Sequence, residues 1–129
     1  MASKAQQKVI WSGYVIGVLP CSLLLFSGAM KLIQPAGLAD NFAKMGWPAN
    51  YALPLGVVEL ACTLLYLIPR TAYLGAILLT GYMGGAIATH ARLGEPFFVQ
   101  FALGVMLWVG LYLRDARLRS LAPITKWHD

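Results

Sequence analysis

One carboxylate stands where a membrane would leave it without water. Glu59 lies inside the apolar run Pro54–Pro69, PLGVVELACTLLYLIP, and a charge at such a depth costs about 2.5–3.5 kcal/mol on insertion scales. Residues of this kind face a bundle interior or a wet cavity and have a partner. At about 100° per residue, Ala52, Gly56, Glu59, Cys62, Thr63 and Tyr66 share one side of the helix. The opposite side is mostly Leu, Ile and Val, which suits lipid. With a rise of 1.5 Å per residue, Glu59 sits about 10 Å below the end of its helix. Ser27, Lys31, His90, Arg92 and Gln100 fall at or just below the same membrane face. The lysine stem can reach inward toward Glu59, with Ser27 one turn below it. These residue types could form a polar pocket, open at that face and floored by Glu59. It would exchange protons with, or hydrogen-bond, the head of an amphipathic molecule such as a quinone. The competing reading makes Glu59 a structural staple, paired with Lys31 or Arg92. His90, at an interface, needs no functional explanation.

No other chemistry has a full set of residues. There is no G-x-S-x-G, H-E-x-x-H, phosphate-binding loop or dinucleotide fingerprint. Neither a metal nor haem is expected, because His90 and Glu59 are too few ligands and His128 belongs to the other side. Cys21 and Cys62 fall near the middle of apolar segments without C-x-x-C spacing. They read as buried small hydrophobes, with a mid-bilayer redox pair as the rival.

The elements that must position these groups are membrane helices. Of 129 residues, 59% are hydrophobic and 12% charged, about half the charge of a soluble domain. The spacing predicts one all-α domain over 1–129, with spans at 9–30, 52–68, 71–90 and 97–113. Together they make an integral membrane four-helix bundle. Between the first two spans, Leu38, Phe42 and Met45 recur at helical spacing opposite Asp40 and Lys44, which predicts a short amphipathic surface helix. The first run is too long for a signal peptide's apolar core, so it is expected to stay as a span. Pro20 should kink it, with neighbouring helices or Ser22 satisfying the freed carbonyl. Gly13 and Gly17 form a G-x-x-x-G, and Gly81, Gly84 and Gly85 cluster on one helix side, both read as helix-packing surfaces. Trp47, Tyr51, Trp108 and Tyr112 read as interface anchors.

The net charge of +5 reflects topology and anionic lipid rather than nucleic acid, since the cations stand at span ends. Lys4, Lys8, Arg70, Arg114, Arg117, Arg119 and Lys126 fall on one side, and Lys31, Lys44 and Arg92 on the other. The positive-inside rule then places both termini, and the basic tail 114–129, in the cytoplasm, with the long connection outside.

Ser27-Gly-Ala-Met-Lys31-Leu, Gly46-Trp-Pro48, Glu59, Ile68-Pro-Arg-Thr71 and Thr80-Gly-Tyr-Met-Gly-Gly-Ala-Ile-Ala-Thr-His90 together resemble the DoxX-like family, over about residues 9–122. The resemblance implies a four-helix bundle of the cell membrane. It also implies a loose link to redox chemistry, because relatives include small subunits of quinol oxidase or thiosulfate:quinone oxidoreductase systems and of thiol-redox partners. The expected function is an accessory or small-ligand-binding subunit of a membrane redox system, beside a larger protein or as a homo-oligomer. A small proton-linked carrier and a purely structural partner stand as alternatives.

Overall fold

Ser3 starts the first helix with a reciprocal cap. Its hydroxyl accepts from the Gln6 amide at 3.2 Å, and its own amide donates to Gln6 Oε1 at 2.8 Å. The helix therefore begins five residues before the expected span. The computed structural model describes residues 3–121, which form α1 (Lys4–Ile33), α2 (Leu38–Lys44), a 3-10 turn (Ala49–Tyr51), α3 (Ala52–Leu67), α4 (Ala72–Arg92), α5 (Phe98–Arg114) and α6 (Ala116–Leu121). Lys126, His128 and the second half of the expected basic tail, 122–129, lie outside the described residues. Helix α1 runs continuously through Pro20. The Ser22 hydroxyl donates to Val18 O at 2.7 Å, so the carbonyl that Pro20 frees, on Ile16, does not receive the help expected of Ser22. Proline stays in place because neighbours hold a helix that already has its other bonds.

The four long helices form a ring in which α1 packs on α3, α3 on α4, α4 on α5 and α5 back on α1. Three helical segments, Lys4–Ile33, Ala49–Leu67 and Ala72–Arg92, are long and apolar enough to cross a membrane, and α5 is a shorter apolar helix. Trp11, Val15, Leu53, Tyr73 and Phe98 are among the many large apolar side chains left on the outside. Such an exterior belongs in lipid rather than water. The inner face of α3 is made of Ala52, Gly56, Glu59, Cys62, Thr63 and Tyr66, residue for residue the side expected from the helical period.

Lipid tails are as apolar as leucine, so close packing must hold such helices together. A Cβ on Gly13 would stand 2.5 Å from Gly110 O and 2.8 Å from the Arg114 amide. Only glycine permits that approach of α1 to α5. Gly17 faces the Tyr66 ring. The expected packing role of Gly81, Gly84 and Gly85 needs correction. An added Cβ at any of them meets nothing within 4 Å, because α4 is rotated so that Gly75, further back along it, meets the α3 backbone at Tyr66 instead.

Below the polar layer, the bundle is sealed around Tyr66. Its hydroxyl donates to Leu107 O at 2.5 Å. The Arg114 guanidinium lies 4.6 Å over the Tyr66 ring and 5.0 Å over Tyr14, and donates to Tyr66 O at 2.6 Å. Leu24, Leu79, Leu107 and Leu111 fill the rest of the core, and Cys21 and Cys62 are buried there as free thiols.

Candidate functional site

Glu59 is 1% exposed, and one of its oxygens collects every donor that reaches it. Lys31 Nζ lies 2.7 Å from Oε2, the Tyr82 hydroxyl donates to it at 2.9 Å, and the Ser27 hydroxyl at 3.3 Å. Lys31 Nζ also donates to Ser27 Oγ at 2.7 Å. The helices explain this convergence. Ser27 and Lys31 are one turn apart on α1, Glu59 is two turns into α3, and Tyr82 is on the α4 face turned toward both. Gly56 lets the lysine stem pass, since a Cβ there would be 2.8 Å from Lys31 Cβ. The pair is close to neutral as a unit, which offsets much of the cost of burying either charge alone. No donor among the described residues reaches Glu59 Oε1.

Beside the cluster is a cavity of about 650 Å³, lined by all four long helices and by the connection between α1 and α3. Its walls are mostly apolar: Leu24, Leu55, Met83 and Leu103 are among them. Apart from Thr89, which accepts from the Trp47 indole, the polar side chains lie in two patches. Glu59, Lys31, Ser27 and Tyr82 form the first, and His90 and Gln100 the second.

His90 Nδ1 is 2.8 Å from Ala86 O. A carbonyl only accepts, so Nδ1 carries the proton and Nε2 of the neutral ring is an acceptor. The Gln100 amide nitrogen, 3.4 Å from that Nε2, therefore faces it as the donor. Gln100 Oε1 is left as the buried side-chain atom without a partner among the described residues. An unmet buried acceptor costs about 1–3 kcal/mol.

The end of the cavity nearest α2 is roofed rather than open. Phe42, 2% exposed, descends from α2, and Met45 and Trp47 join it in the lining. The amphipathic helix thus turns its apolar face onto the bundle. The most exposed large side chains of the lining are Phe26 on α1, at 64%, and Val99 on α5, at 63%. The open side is lateral, between the ends of those two helices that lie nearest α2.

The structure brings Ser27, Lys31 and Glu59 together and sets His90 and Gln100 on the same cavity. Arg92 is the exception among the expected polar-core residues. It is exposed, and its guanidinium donates to Met45 O at 2.5 Å. It ties the roof to the end of α4, because the helix turns it away from His90. Gly81 and Gly85 line the cavity together with His90. Sequence reasoning misses Tyr82, although its depth on α4, close to that of Glu59, is the available signal. Trp108, expected as an interface anchor, donates its indole N–H to Thr80 Oγ1 at 2.6 Å. No group of three or more His, Cys, Asp and Glu side chains suited to a metal exists among the described residues.

A family model described as the DoxX-like family matches residues 15–112. Neither a curated protein nor a solved structure matches the chain.

Proposed function

The chain belongs to the DoxX-like family and is a small integral membrane protein; from that premise we propose that it is a binding subunit for a quinone-like headgroup, accessory to a membrane redox system. The single observation that carries this reading is the cavity itself. It combines a mostly apolar wall, a polar cluster at Glu59 and a lateral opening toward lipid. Ligand sites have this composition, mostly apolar with a few convergent polar groups. A volume of about 650 Å³ falls within the usual 300–1,000 Å³ range. In this reading the protein binds and orients the ring, and the electrons pass to and from a partner protein. Glu59 and Lys31 supply hydrogen bonds without net charge, so a neutral ring enters without leaving an ion unpaired.

The same proposal holds that four spans cross the cell membrane with both termini in the cytoplasm. Its support is the unequal distribution of Lys and Arg between the two ends of the bundle. The test of binding is quinone extracted from protein purified out of native membranes, together with the thermal stability of the purified protein against added decyl-benzoquinone. Co-purified quinone and a concentration-dependent rise in melting temperature are expected. Absence of both removes the reading.

A further inference from the structure

The two side-chain oxygens of Glu59 and Gln100 that have no hydrogen-bond partner among the described residues are both acceptors. On α3, Glu59 receives Lys31, Ser27 and Tyr82 all on Oε2, and Oε1 has no donor among the described residues. On α5, Gln100 gives one of its two N–H groups to His90 Nε2 and keeps Oε1 unmet. The direction of that second bond follows from the ring proton on Nδ1, which is held by Ala86 O. The Tyr82 hydroxyl has already committed its proton to Glu59. Lys31 Nζ gives one N–H to Ser27 and one to Glu59, which leaves a single N–H for anything else. The second N–H of the Gln100 amide is the other spare donor, so each donor atom here already has a partner, whereas two acceptor oxygens on two different helices have none among the described residues.

We propose that the ligand head carries hydroxyl donors, so that the site takes the reduced, dihydroxy form of an aromatic ring in preference to the oxidised dione. This rests on the reading of the cavity as a quinone-type site and specifies its redox form. One ring hydroxyl donates to Glu59 Oε1, and another donates toward Gln100 Oε1. A dione has only acceptors to offer, so it meets the spare N–H of Lys31 and of Gln100 at best and leaves both carboxamide and carboxylate oxygens unpaired. An unmet partner is what gives hydrogen-bonding sites their discrimination, since a mismatched ligand strands buried groups on both sides. An ammonium ligand would also satisfy Glu59. It is disfavoured because Lys31 already neutralises that carboxylate at 2.7 Å, and a second cation would have to share it. The lateral opening between Phe26 and Val99 gives an alkyl tail a route to lipid, so the ligand need not leave the bilayer to bind.

The experiment compares a decyl-benzoquinol with the decyl-benzoquinone of the same ring and tail, under anaerobic conditions, by isothermal titration of the purified protein in detergent. Decylamine serves as the cationic probe. The quinol is expected to bind at least tenfold more tightly than the quinone and than decylamine. In Gln100→Leu, the quinol-over-quinone preference should fall at least threefold, with α-helical content unchanged by circular dichroism. Equal or tighter binding of the quinone overturns the preference for the reduced form and leaves the quinone-type site standing. Tighter binding of decylamine overturns it in favour of a cation site. Binding of none of the three overturns this inference and the proposed function together. If Gln100→Leu fails to fold, Gln100→Glu, which keeps the acceptor and adds a second, supplies the comparison. It should hold or raise the quinol preference, and loss of that preference refutes the role of Gln100.

Discussion

Replacing Lys31 by Met should cost more than replacing Lys31 and Glu59 together. Lys31→Met removes the cation 2.7 Å from Glu59 Oε2 and leaves a carboxylate that is 1% exposed. Breaking one side of a buried pair costs about 3–5 kcal/mol. Tyr82 and Ser27 still donate to Glu59, so the lower end, about 3 kcal/mol, is expected. Glu59→Gln should cost less, about 1–2 kcal/mol, because the Lys31 side chain is 17% exposed and can extend toward the membrane surface. With both substitutions no charge is stranded, and the double variant should lie within about 1–2 kcal/mol of the parent. The coupling is then about 2–4 kcal/mol. The assay is a double-mutant cycle on thermal unfolding in detergent, followed by circular dichroism. At roughly 4 °C per kcal/mol for a chain of this size, Lys31→Met should melt about 12 °C early, and Glu59→Gln added to it should recover about half of that. Arg92→Met is the control. Arg92 reaches Met45 O rather than Glu59, so its effect should simply add to that of Glu59→Gln. Additivity for Lys31, or coupling for Arg92, would refute the assignment of the pair.

Tyr82→Phe removes one donor from a charged acceptor and should cost about 1.5–3 kcal/mol; a Tyr82→Phe protein as stable as the parent would mean that the hydroxyl does not hold Glu59. Gly13→Ala forces a methyl against Gly110 O and the Arg114 amide and should destabilise by about 1–3 kcal/mol, whereas Gly84→Ala, with open space around it, should be neutral or gain up to about 1 kcal/mol from helix propensity. Equal melting shifts for the two would contradict the packing of α1 on α5. Cys21 and Cys62 are buried free thiols, so maleimide should label them slowly in detergent and fully in dodecyl sulfate; fast labelling of the folded protein would disprove their burial. Reporter fusions after Gly46 and at the C-terminus should report opposite sides of the membrane, and the same side for both would refute the proposed topology.

Hydrophobic period and span length depend on residues near one another in the chain, which is why they are legible without a structure. The inner face of α3, from Ala52 to Tyr66, follows from that period alone. So does the apolar face of α2, where Phe42 is buried. Lys31 and Ser27 as companions of Glu59 follow from depth and reach. The start of α1 at Lys4 is also encoded locally, in the Ser3–Gln6 cap, although apolarity alone puts it at Val9. What a helical wheel cannot supply is the rotation of one helix against the next. Gly81, Gly84 and Gly85 look as suited to close approach as Gly75, yet only Gly75 meets a neighbouring backbone. Tyr82 is ordinary in sequence and becomes a partner of Glu59 only because α4 packs on α3 with that face inward. The choice of Lys31 over Arg92, the pairing of His90 with Gln100, and the lateral opening of the cavity have the same origin. Each depends on contacts between residues far apart in the chain, set by how all four helices share one interior at once.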